Sequence, residues 1–202
     1  MSFFSEPKNA GLAFIIIGVI TVIGGIITVV LGAMNYEFEA GDNVYKFALG
    51  TAVAAIGTII YGCMQFGYGK KVRDGTVSAK IDILAAFVKL VGVGTIVTGI
   101  FSAIGTVMNG DEIGTGIVSA IISIVIGLII IWIGTKINDG KQTLGDKIIW
   151  VILLIAFILC VIAAVLDIIT IIGIITGFCE LIIYVFMLIL LFDPEVKSEM
   201  GI

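Results

Sequence analysis

Long apolar runs alternate with short polar breaks along most of this chain. Runs dominated by Ile, Val, Leu, Ala and Gly occupy 10–34, 46–68, 82–107, 114–135, 148–166 and 169–192. A helix of about 20 apolar residues is long enough to cross a hydrocarbon core. The pattern therefore predicts an all-α polytopic membrane protein, a six-helix transmembrane bundle forming one transmembrane domain over residues 1–202. Strands of a membrane barrel would alternate polar and apolar residues. A segment such as IISIVIGLIIIWIG at 121–134 does not alternate. In lipid, a helix satisfies its backbone polar groups within the segment, which offsets the low helix propensity of Ile and Val.

The last two runs are separated by no obvious break. Residues 148–192 carry only Asp167 and Glu180 as charged side chains. As one helix this stretch would be about 68 Å long, roughly twice a hydrocarbon core. It has to fold back, and Asp167 with Thr170 is the expected turn.

Charge sets the orientation. Lys70, Lys71, Arg73 and Lys80 lie between spans 2 and 3, and Lys136, Lys141 and Lys147 between spans 4 and 5. Lys8 and Lys197 lie in the two tails. The alternate loops hold Glu37, Glu39, Asp42, Asp111 and Glu112. Basic residues concentrate in cytoplasmic loops, so both termini are expected inside. Phe66, Tyr68, Trp132 and Trp150 fall near the inner interface, and Tyr36, Tyr45 and Phe47 near the outer one. The first run is too long for a cleavable signal and reads as a retained span.

The chain also resembles itself. GYGKKVRDG at 67–75 and WIGTKINDG at 132–140 follow spans 2 and 4. This pairs Gly69, Lys71, Asp74 and Gly75 with Gly134, Lys136, Asp139 and Gly140. Spans 1 and 3 end alike, at Gly32–Asn35 and Gly105–Asn109. The bundle thus reads as three parallel two-helix hairpin repeats, the third having drifted by Phe192-Asp193-Pro194. The repeated string could be an anion-binding loop. The plainer reading is a helix-ending glycine, a lysine at the cytoplasmic leaflet and an Asp-Gly turn.

Glycines recur at heptad spacing in span 1, at Gly11, Gly18, Gly25 and Gly32, and as Gly173 and Gly177 in span 6. Small residues let membrane helices approach closely. Such seams either pack the bundle internally or dock a second copy or another membrane protein. Span 5 has no glycine and is expected to be the most lipid-exposed.

Composition narrows the function. The chain is 60% hydrophobic and 13% charged, with net charge −4 and no histidine. The acidic balance argues against a nucleic-acid partner. Cys63, Cys160 and Cys179 lie in apolar runs and read as packing residues. No Ser/His/Asp, Cys/His or metal-ligand cluster stands out, so neither an enzyme, a cofactor nor a bound metal is expected.

Two ionisable residues lie inside spans, Lys89 in span 3 and Glu180 near the middle of span 6. Such residues usually face the bundle and mark a pair or a pathway. Glu180 could be neutral and hydrogen-bonded, paired with Lys89, or a proton or cation site. Lys89 alone could snorkel to the headgroups. The first functional expectation is a structural, accessory or scaffolding component of a membrane assembly. The alternative is a small channel or transporter using Glu180, with or without Lys89. The ten-to-one excess of Lys over Arg points to a prokaryotic plasma membrane.

Overall fold

A computed structural model describes residues 3–40, 43–110, 112–140, 144–169 and 174–202. A single 3-10 turn, Phe3–Ser5, precedes helix α1 (Pro7–Ala33). A short hairpin of β1 (Glu37–Ala40) and β2 (Asn43–Lys46) leads to α2 (Leu49–Arg73), α3 (Lys80–Met108) and α4 (Ile113–Lys136). The chain closes with α5 (Leu144–Ile169), α6 (Ile174–Phe192) and a short α7 (Pro194–Glu199). Among the described residues, six helices, α1 to α6, are long and apolar enough to cross a membrane. The protein is a multi-pass membrane protein.

The hairpin qualifies the all-α expectation. Its strands are antiparallel, with Glu37 opposite Lys46 and Glu39 opposite Val44. Lys46 Nζ lies 3.1 Å from Glu37 Oε1, and Phe47 N donates to Tyr36 O at 2.9 Å. Polar and apolar residues alternate in Glu37-Phe38-Glu39, and period-2 alternation is the signature of a strand.

The chain divides into two compact units whose boundaries fall within helices α1 to α4. The first comprises Met1–Ile17, Gln65–Leu90 and Ile130–Ile202, and the second Gly18–Met64 and Val91–Ile129.

The first unit is built on aromatic rings. Phe14 meets Tyr68 edge-on at 4.8 Å between centroids and Phe87 at 5.4 Å. Phe87 continues to Phe157 at 6.1 Å and Tyr184 at 6.4 Å. Aromatic pairs in this range add to the gain from burial. The buried Tyr68 hydroxyl donates to Ile83 O at 2.7 Å, which satisfies its polar end. Ile83, Leu84, Met187 and Leu191 of the same unit are fully buried.

In the same unit α5 and α6 lie antiparallel against each other. A β-carbon at Gly177 would sit 2.8 Å from Ala164 O and 2.9 Å from Ile168 N. At the other end Trp150 Nε1 donates to Leu191 O at 2.9 Å. The expected fold-back of residues 148–192 is therefore present. Helix α5 runs past Asp167 to Ile169, and the turn itself, with Thr170, lies outside the described residues. Helix α7 then caps this end. Asp193 is its N-cap, accepting from Glu195 N at 3.0 Å, and Pro194 opens it. Its own Val196 and its C-cap Met200 are buried.

The second unit joins α2 to α1 and α3 by close backbone approach. A β-carbon at Gly32 would lie 2.7 Å from Ala48 O. Gly50 and Gly105 each lie against the other's carbonyl. Asn109 Oδ1 accepts from Gly50 N at 3.0 Å.

Burial is uneven among the spans. The span core of α6 is 44% buried and that of α4 only 11%. The expectation that span 5 would be the most exposed is therefore corrected: α4 is. Helix α5 buries Ile149, Leu153, Phe157 and Ala164. Absence of glycine did not imply absence of neighbours.

Candidate functional site

Lys89 lies on α3, nine residues after Lys80 and about 14 Å along the helix. It is half-buried. It lines a cleft of about 310 Å³ with Thr76, Ser78, Asp82 and Asn138. Asn138 Nδ2 donates to Asp82 Oδ1 across this cleft. The side of Lys89 is pressed by α4. A β-carbon at Gly134 would lie 2.8 Å from Lys89 Cγ and 2.9 Å from its backbone nitrogen. The repeated-loop glycine and the intramembrane lysine, treated separately in the sequence, thus touch.

Glu180 has different neighbours. It is half-buried on α6, close enough to Asp167 on α5 for their charges to interact. Cys160 and Cys179 share this neighbourhood, and Cys160 is hydrogen-bonded to Tyr184. Among the described residues no ion pair joins Glu180 to Lys89. Its place along α6 can be read from the helix bounds. Because α6 begins at Ile174, Glu180 lies about 9 Å from that end and about 18 Å from Phe192. It is nearer the middle of α6 than either end.

The loop motif resolves into two parts. Gly69 and Gly134 do not end their helices, which continue to Arg73 and Lys136. They are packing positions inside α2 and α4. A β-carbon at Gly69 would sit 2.6 Å from Phe14 Cβ and 2.7 Å from Gly11 O. The turns belong to Gly75 and Gly140, at φ 74° and 68°. Only glycine adopts that region without strain. In the second copy Lys136 Nζ pairs with Asp139 Oδ2 at 2.6 Å. Lys71 and Asp74 of the first copy are both exposed. Lys141 lies outside the described residues.

The span 1 glycines face α2 of the same chain. A β-carbon at Gly11 would lie 2.7 Å from Arg73 N, and one at Gly25 would lie 2.5 Å from Ile59 Cγ1. Gly18 presents its carbonyl 2.9 Å from a β-carbon at Gly62. Gly177 packs on α5 as described, and Gly173 lies outside the described residues.

Sequence reasoning missed one polar cluster. Lys80 Nζ lies 2.9 Å from Asp193 Oδ2 and 3.2 Å from Glu195 Oε2. The hydrogen bond from Lys80 holds the Asp193 carboxyl below the usual carboxylate range, with further help from the Glu195 backbone. Lys197 stacks over the Trp150 and Phe192 rings at 5.3 and 4.8 Å.

Compared with known protein families, curated proteins and solved structures, the chain matches none.

Proposed function

We propose that this protein is a non-catalytic structural or accessory component of a membrane assembly, with both termini on the inner face of a prokaryotic plasma membrane. The carrying observation is the apolar surface of α4. Ile117, Ile121, Val125, Leu128 and Ile129 are all at least half exposed. Only 11% of that span core is buried within the chain. Helix α4 therefore offers a continuous apolar face to lipid or to another membrane helix, its glycine face being packed on α3. The span 1 glycines are already occupied by α2, so α4 replaces them as the favoured docking element.

We also read the bundle as three hairpin repeats. Gly69 meets Gly11 O and Ile15 N. Gly134 meets Ala85 O and Lys89 N, each offset by 74 positions from the first pair. Gly62 against Gly18 and Gly127 against Gly92 keep the same 74-position offset. In the third hairpin Gly177 likewise meets two residues four apart, Ala164 and Ile168, but at the opposite end of the pair. An offset preserved at two levels supports duplication of a hairpin.

The test is cross-linking in native membranes from single cysteines along α4, in a cysteine-free background. Adducts to a second copy or another membrane protein at Ile121 and Leu128, absent at the buried Ile83, are the expected result. Only lipid adducts along the whole of α4 would refute the docking role.

A second reading follows from Glu180 and Asp167, two carboxylates near each other on adjacent spans. It makes the chain a small channel or transporter for protons or small cations. Liposome flux that is the same for wild type and Glu180→Gln sinks it.

A further inference from the structure

We propose that the cleft beside Lys89 binds the phosphate group of a membrane phosphoglyceride whose headgroup carries a hydrogen-bond donor. The proposal needs the chain to span a membrane, but not the scaffolding role of α4.

Lys89 is a cation within a candidate span, and an ammonium group in such a place needs an anion or water. Asp82, the carboxylate of the cleft, already accepts a hydrogen bond from Asn138. The stem of Lys89 is confined by α4 at Gly134, where a β-carbon would approach Cγ to 2.8 Å. That confinement limits the entropy lost on binding, since a held side chain has fewer conformations to give up. The volume of about 310 Å³ lies at the small end of ligand sites.

The cleft holds one cation and, toward the Lys80 end of α3, a set of hydrogen-bond acceptors. A phosphoglyceride presents apolar chains, then a phosphate, then its headgroup. Along α3 the cleft presents Lys89, then the small Ala86 and Ala85, then Asp82, and Asn138, Thr76 and Ser78 line it too. Asp82 precedes Lys89 by about two helical turns, or about 10 Å. The long lysine stem can cover much of that interval, as stems do when they carry a charge toward the headgroups. A phosphate on the Lys89 ammonium then leaves the headgroup facing Asp82 and the hydroxyls. Acceptors there favour an ethanolamine ammonium or a glycerol hydroxyl. A choline headgroup has no donor to offer.

The test is native mass spectrometry of the full chain purified in a neutral detergent. Phosphatidylethanolamine, phosphatidylglycerol and phosphatidylcholine are titrated separately into wild type, Lys89→Met and Asp82→Asn. In wild type one lipid is expected to survive activation that strips the others, with the first two retained about tenfold better than phosphatidylcholine. Lys89→Met keeps the stem and loses the charge, and is expected to lose the retained lipid. Asp82→Asn keeps the lipid and loses the discrimination against choline. Retention by Lys89→Met equal to wild type overturns the proposal. So does displacement of the lipid by inorganic phosphate, which would make the ligand a soluble anion. Should Lys89→Met not fold, Asp82→Asn decides: unchanged headgroup discrimination there overturns the proposal as well.

Discussion

Two glycines two residues apart on α2 offer a controlled test of the packing. At Gly69 an added β-carbon would lie 2.6 Å from Phe14 Cβ, 2.7 Å from Gly11 O and 2.8 Å from Ile15 N. Two of those atoms belong to the backbone of α1, so relief requires the helices to separate. At Gly67 an added β-carbon meets nothing within 4 Å. Both positions are helical, so Gly→Ala gains about 1 kcal/mol of intrinsic helix propensity at either. That gain cancels in the comparison. What remains is the overpacking cost at Gly69, about 1–3 kcal/mol. Gly67→Ala should therefore be as stable as wild type or more so, and Gly69→Ala less stable than Gly67→Ala by that margin. A difference of one or two kcal/mol changes the folded-to-unfolded ratio about 5- to 30-fold. Reversible unfolding of the purified protein in mixed detergent micelles, followed by circular dichroism, would resolve it. Equal stability of the two alanine variants would refute the close approach of α1 and α2 at this level.

Three further outcomes follow from local geometry. Gly75 stands at φ 74°, and Gly75→Ala should cost about 1–2 kcal/mol, because an L-residue is strained in that region; the same unfolding assay checks it. Lys80 holds the Asp193 carboxyl below its usual range, so the docking of α7 gains stability above the ordinary carboxylate pKa and loses it as pH falls through the lowered value. Hydrogen exchange at Val196–Met200 should accelerate in acid in the wild type, whereas Asp193→Asn should lack that pH dependence while keeping the N-cap; identical acid profiles for the two would contradict this. Trp132 is 57% exposed while Trp150 donates to Leu191 O, so brominated lipid should quench the fluorescence of Trp150→Phe, where Trp132 remains, more strongly than that of Trp132→Phe.

Much of this architecture was legible in the sequence because lipid imposes a one-dimensional rule. A helix that must cross apolar solvent shows itself as an apolar run, and all six runs became helices. Ends were less legible, since they depend on capping and partners. Helix α5 begins at Leu144, before the apolar run, and carries Asp146 in its first turn, where the helix dipole favours an acid. Helix α7 was overlooked, although Asp193-Pro194 is an N-cap followed by a helix-opening proline. The β-hairpin is too short for its alternation, Glu37-Phe38-Glu39, to stand out from an acidic loop.

The candidate sites were legible as residue types but not as neighbours. Lys89 and Glu180 stood out as charges in apolar runs. Nothing local could reveal that Lys89 meets Gly134, or that Lys80 reaches Asp193 and Glu195 at the far end of the chain. Likewise, the span 1 glycines announced a close helix contact without naming its partner, which proved to be α2.

The most direct test of the membrane topology proposed here is labelling of single cysteines in a cysteine-free background with a membrane-impermeant maleimide. Positions Glu39, Ser78 and Glu199 suit it, being exposed in the hairpin, the α2–α3 connection and α7. Six crossings with both termini inside predict that Glu39→Cys labels in intact cells, while Ser78→Cys and Glu199→Cys label only after the membrane is opened. Labelling of Glu199→Cys in intact cells, with Ser78→Cys still protected, would contradict the six-span account.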